Sequence, residues 1–140
     1  EILDLPAEPR QFLELVWDFT QFFDDVYDGG DTKLNFDRIL LSTFVIFPAA
    51  PFYRQHQATL APALHLAIEK WKLANYVEEK READAKSYMW RAGFYDILAL
   101  VCILVGKPAS VVHAALSAYG ETFEDYMKEM ELCQIPLPLP

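Results

Sequence analysis

The residues of this chain whose types and spacing could do chemistry are mostly carboxylates, in three places. Asp96 interrupts the apolar run WRAGFYDILALVCILVG, Trp90 to Gly106. Glu78, Glu79 and Glu82 share the segment EEKRE, and Asp24, Asp25, Asp28 and Asp31 share DDVYDGGD. Carboxylates that converge from neighbouring helical turns can hold Mg²⁺ and position a phosphate for attack. Acids at a helix C-terminus instead oppose the macrodipole and call for a cationic partner. The spacing in DDVYDGGD is not that of an EF-hand loop, so a basic patch, either on the middle of this chain or on another protein, is the expected partner rather than calcium. His65, Glu69 and Lys72 fall at helical i, i+4 and i+3 positions, the pattern of an ordinary amphipathic face. The chain has no HExxH and no Ser/His/Asp order that identifies a nucleophile.

EEKRE followed by GFYD resembles the paired carboxylate elements, EExxE and a later ExxD, of the MazG-like and dimeric dUTPase-like helical pyrophosphohydrolases. That resemblance implies a Mg²⁺-dependent nucleotide hydrolase using Glu78, Glu79, Glu82 and Asp96. It is incomplete, because Gly93 stands where the family places a glutamate. In the alternative register, with Glu69 ahead of Asp96, Leu66 occupies the first carboxylate position.

These groups must be positioned by helices. From Arg10, the residues Phe12, Val16, Phe19, Phe23 and Val26 recur at alternating fours and threes, which predicts a first helix ended by Gly29 and Gly30. Asn35 can cap a second helix over Phe36 to Phe47, stopped by Pro48. Leu60, Leu64, Ala67, Ile68, Trp71 and Ala74 form the apolar face of a third, with PAAPFYRQHQ as the connector before it. EEKREADAK is then a polar extension or a hairpin turn. The run from Ser87 to Val105 is apolar on nearly all sides and is expected at the centre. Gly106 ends it, and Pro108 and Ser110 open a fifth helix reaching Met130 through a possible kink at Gly120. IPLPLP cannot continue a helix and predicts an extended tail.

The expected fold is therefore all-α: a single-domain bundle of four to five antiparallel helices over residues 1–134, helix 87–105 central, with a Pro-rich tail at 135–140. In such a fold Asp96 and His65 are expected as buried polar groups, with His65, Lys72, Arg54 and His113 as candidate partners for Asp96. A buried carboxylate must be paired, hydrogen-bonded or protonated.

Charge restricts the partner. The formal net charge is -9. Residues 1–31 carry nine acids against one arginine, residues 33–107 ten basic groups against seven acidic, and residues 108–140 five acids against one lysine. There is no basic stripe of the kind direct nucleic-acid binding requires. The charge-free apolar run Ile97 to Gly106 is about half of what a bilayer span needs. Cys102 and Cys133 have no CxxC or zinc spacing, and no motif calls for a cofactor. A cytoplasmic protein without membrane attachment is expected.

Twenty aromatic residues are more than one helical seam needs. Trp17, Phe22 and Tyr27 lie off the first seam, amid Asp24, Asp25 and Asp28. These six residues are the expected interface of a non-enzymatic interaction module, an adaptor, inhibitor or assembly factor. Its partner would be a protein with a basic surface, or a second copy of the chain forming a homodimer. The Mg²⁺-dependent hydrolase is the alternative. An acidic decoy that imitates nucleic-acid phosphates is a third reading, and it would gain if the two acidic terminal helices lay side by side.

Overall fold

Helix α1 (Ala7–Tyr27) follows the expected seam but buries only its first half. Phe12, Leu13 and Val16 are inside, whereas Phe23 and Val26 are exposed. The structure, a computed structural model, describes residues 4–30 and 33–134, so the Pro-rich tail, Asp31 and the first three residues lie outside it. Pro9 falls in the first turn of α1, where a missing N–H costs nothing. The helix ends as its glycines predict: Gly29 takes φ +76°, and the Gly30 N–H reaches back to the Asp25 carbonyl at 2.8 Å.

The second helix departs from expectation at both ends. α2 (Lys33–Leu41) already includes Asn35, which is therefore inside the first turn rather than capping it. The backbone then widens into a π-turn over Ser42–Ile46 and closes with one further turn, α3 (Phe47–Ala49), so Pro48 does not stop it. In an ordinary α-helix a proline's ring collides with the carbonyl four residues back. Here the Phe47 N–H bonds to the Ser42 carbonyl five residues back, and the loosened spiral carries Pro48.

The connector PAAPFYRQHQ is helical from Pro51 onward. It joins the expected third helix as α4 (Pro51–Glu79), kinked at His56 and containing Pro62. The polar EEKREADAK segment is a hairpin turn, with Arg81 at φ +61°. Asp84 and Ser87 form a reciprocal capping box that starts the next helix.

The predicted central helix 87–105 is in fact two, α5 (Ala85–Trp90) and α6 (Gly93–Leu104). The break falls at Arg91–Ala92, where the Ala92 N–H turns to the Met89 carbonyl at 3.1 Å. Gly93 lets the new helix lie against α4: a Cβ there would come within 3.1 Å of the Ala67 methyl. α6 packs on α1, α4 and α7. The fifth helix is also divided, into α7 (Ala109–Leu116) and α8 (Phe123–Gln134). Gly120 lies in the interval, and the Thr122 hydroxyl accepts the Asp125 N–H at 3.1 Å to start α8 afresh.

The described residues are thus all-helical with no strand, but in more and shorter pieces than a simple antiparallel bundle. Phe12, Leu60, Ile97 and Val101 meet at the main core, and Ala99, Cys102 and Ala115 form a smaller one beneath α7. Burying each of Phe12, Leu60 and Val101 stabilises the fold by about 1.5–3 kcal/mol. Among the described residues, no single helix is long and apolar enough to cross a membrane.

Candidate functional site

Trp71, Asn75 and Glu78 lie at i, i+4 and i+7, so they share one face of α4 near its end. Opposite them the break after α5 turns Arg91 inward, and the C-terminal turn of α1 brings Asp24. The Arg91 guanidinium donates to Asp24 Oδ1 at 3.0 Å, to Asn75 Oδ1 at 2.7 Å and to both Glu78 oxygens at 3.3 Å. Trp71 Nε1 donates to the same Asp24 oxygen at 3.3 Å. The Arg91 and Glu78 side chains keep only 19% and 15% of their surface in water. Burial opposes the Arg91 charge, but Glu78 and Asp24 more than offset it and hold its pKa above the usual value.

A second layer comes from α5 and α8. Tyr126 donates to Glu78 Oε2 at 2.8 Å and shares a 2.7 Å hydrogen bond with Ser87 Oγ; both residues are buried. Burial nevertheless pushes the Glu78 carboxyl above its ordinary range, outweighing the lowering by Arg91 and Tyr126. It also raises the Tyr126 phenol.

Around this cluster is a cleft of about 700 Å³. Asp24 and Asp28 from α1 and the segment after it, Glu78 and Glu79 from α4, Glu121, and Glu129 from α8 line it, against Arg81 and Arg91. Tyr27 donates a hydrogen bond to Glu79, which raises the Tyr27 phenol to about 12. Tyr119 donates to Glu121 at 3.1 Å. Burial, then the charge of Glu121, lifts the Glu129 carboxyl above its ordinary range. Acids from both terminal segments therefore meet at one place.

The candidate carboxylates taken from the sequence are dispersed. Glu78 is held by Arg91 and Glu79 by Tyr27, while Asp96 pairs with Lys70 at 3.1 Å. Lys70 lies two helical turns before Glu78, roughly 12 Å along α4. Among the described residues, no three acids, histidines or cysteines are grouped to hold a metal ion. Glu82 is exposed in the hairpin turn.

Two expectations of burial are corrected. Asp96 does face α4, but its side chain is 48% exposed and its partner is Lys70 rather than His65, Lys72, Arg54 or His113. It falls on the outer flank of α6, whose inward stripe is Ile97, Val101 and Cys102. His65 is exposed as well, 3.5 Å from Glu69, because the inward face of α4 at that level is formed by Leu60, Ala63, Leu64 and Ala67.

Of the six expected interface residues, Asp24 and Tyr27 are engaged within the molecule, the first by Arg91 and Trp71 and the second by Glu79 and the edge of Trp71. Trp17 remains exposed while meeting Phe94 edge-on; Phe22 is half-buried against Phe23, and Asp25 and Asp28 are exposed. Sequence reasoning missed Arg91, Asn75, Ser87 and Tyr126. One signal was present: Arg91 is a lone cation inside an apolar stretch, and a buried cation needs acids brought to it.

A much larger apolar exposure lies elsewhere. Phe36, Leu40, Leu41, Phe44, Val45 and Ile46 are each 41–74% exposed, and that segment turns only Ile39 and Ser42 inward. Comparisons with protein-family models, curated proteins and solved structures give no match.

Proposed function

We propose that this chain is a non-enzymatic interaction module, an adaptor, inhibitor or assembly factor, that meets its partner through apolar surface on α1, α2 and the π-turn after α2. The carrying observation is the exposed row from Phe36 to Ile46, six large apolar side chains within eleven residues. Soluble monomers seldom leave so much contiguous apolar surface in water, and such surface marks a place of contact. Phe36, Leu40 and Phe44 recur every four residues and form one stripe, with Leu41 and Val45 beside it. On α1, Trp17, Phe23 and Val26 add apolar groups next to acids, which fits a partner with a basic rim around an apolar centre. The net charge of -9 argues against an anionic lipid surface as occupant.

The test combines light scattering, which reads self-association, with capture of partners from host lysate by the wild type and by Phe44→Glu and Val45→Lys variants. Both positions point to water, so the variants should keep their helicity and melting temperature. Loss of captured partner, or of a dimer, supports the reading. Unchanged capture and unchanged mass would remove the apolar row from consideration.

The acidic decoy gains support from one observation, the meeting of Asp24 and Asp28 with Glu121 and Glu129 around a single cleft. A decoy's partner binding would weaken steeply with salt.

A further inference from the structure

The cleft around Arg91 combines three features that each favour an incoming cation. The first is charge: six carboxylates line it against two guanidinium groups, and Arg91 is already consumed by Asp24 and Glu78. The second is the backbone. α1 and α4 both end at this cleft, and neither has a basic residue in its last turn to meet the negative end of its dipole. Lys80, just beyond α4, lies over the Tyr76 ring at 4.5 Å and is not among the residues lining the cleft.

The third feature is a buried donor with nothing to bond. Asn75 lines the cleft and is 4% exposed. Its Oδ1 accepts from Arg91, which fixes the amide orientation and leaves Nδ2 without an acceptor among the described residues. A buried amide N–H that lacks a partner costs about 1–3 kcal/mol, so an arriving acceptor is favoured there. The ligand should therefore bring a cation and, close to it, an oxygen acceptor. A basic residue in a peptide has both, whereas a polyamine has only the cation.

We propose that the cleft receives a lysine or arginine side chain from a peptide segment of the partner. Its cation sits among Asp28, Glu79, Glu121 and Glu129. A neighbouring peptide carbonyl accepts from Asn75 Nδ2 once the side chains that cover this buried amide shift aside. The proposal rests on the interaction-module reading and supplies the chemistry of the partner at a second point of contact. Burial, then the like charge of Glu121, raises the Glu129 carboxyl, and a cation between the two acids would relieve their repulsion.

The test is an NMR titration of the whole chain with a capped Gly-Lys-Gly peptide at low ionic strength, beside the same peptide with norleucine for lysine, and spermidine. The lysine peptide should shift the Asn75 side-chain amide and the backbone of Glu121 and Glu129. The norleucine peptide should not. Glu121→Gln and Glu129→Gln, which keep side-chain size at exposed or half-buried positions, should together weaken the lysine peptide by about tenfold. Equal shifts from norleucine, no shifts in the cleft, or unaltered affinity in the double variant would overturn the proposal. Spermidine binding as tightly as the peptide would overturn the part assigned to Asn75 and the choice of a peptide. Phe44→Glu should leave the titration unchanged, so failure of the apolar contact face and failure of the cleft are read separately.

Discussion

The two ends of α1 face opposite problems. At its N-terminal half, Phe12 is enclosed by Phe47, Phe52 and Tyr53, with ring centroids 5.7–6.0 Å apart, and no charged group is needed. At its C-terminal end, about 18 Å along the helix axis, Asp24 reaches an inward arginine shared with Glu78 and Asn75. Apolar packing is non-directional and tolerates the loosened π-turn that follows α2. The ionic end is directional, and there the chain breaks its own helices to satisfy geometry: α5 stops at Trp90, and Arg91 bends in to its partners. The difference explains why the strongest apolar pattern in the sequence, residues 87–105, did not stay one helix.

The largest effect is expected at the apolar end. Phe12→Ala should lower unfolding free energy by about 3–5 kcal/mol, measured by urea denaturation, since it removes a ring with no access to water. Arg91→Met should cost about 2–3 kcal/mol at neutral pH, below the roughly 3–5 typical when one partner of a fully buried pair is lost, because Asp24 keeps contact with water. That loss should shrink in acid, where Glu78, its carboxyl raised by burial, is protonated. A loss from Phe12→Ala that also shrank in acid would dissolve the distinction between the ends.

A smaller effect concerns pH. Burial raises the carboxyls of Glu78 and Glu129 above the ordinary 4.5. For a raised acid, the stabilising contribution is present below the unfolded pKa and is lost as pH rises through the folded one. Stability contributed by these two groups should therefore fall as pH climbs from about 4.5 toward neutrality. Glu129→Gln should flatten that fall and leave the protein slightly more stable at pH 7, in melting curves taken across the range. Facing Glu129 are Glu121, Arg91 and Asp28, so the slope should respond to Glu121→Gln as well. The smallest effect belongs to Asp96→Asn, within about 0.5 kcal/mol, because its ion pair with Lys70 is exposed. A large loss there would restore a structural role for Asp96.

Helix class was legible in the sequence because periodicity and punctuation agree. Gly29 and Gly30 end α1, Gly106 ends α6, and Pro108 precedes α7. The internal breaks were not legible, since apolar spacing runs on across Arg91–Ala92 and across Ser117–Thr122; α6 restarts at Gly93 with no side-chain cap, and α8 restarts on the Thr122 hydroxyl. The EEKRE and GFYD segments share carboxylates, but adjacency in sequence does not bring side chains to one point. Lys70 draws Asp96 to one part of α4 and Arg91 holds Glu78 at another. The Arg91 site joins residues from α1, α4, α5 and α8 by hydrogen bonds that span up to 67 positions, and no local spacing carries that information.

The exposed apolar row from Phe36 to Ile46 is proposed as the contact face. The most direct measurement compares, side by side, the partner captured and the molar mass in solution for the wild type and for Phe44→Glu. A contact face there predicts at least about a tenfold loss of partner or dimer with the melting temperature unchanged. The same partner at the same yield, and the same mass, would contradict it.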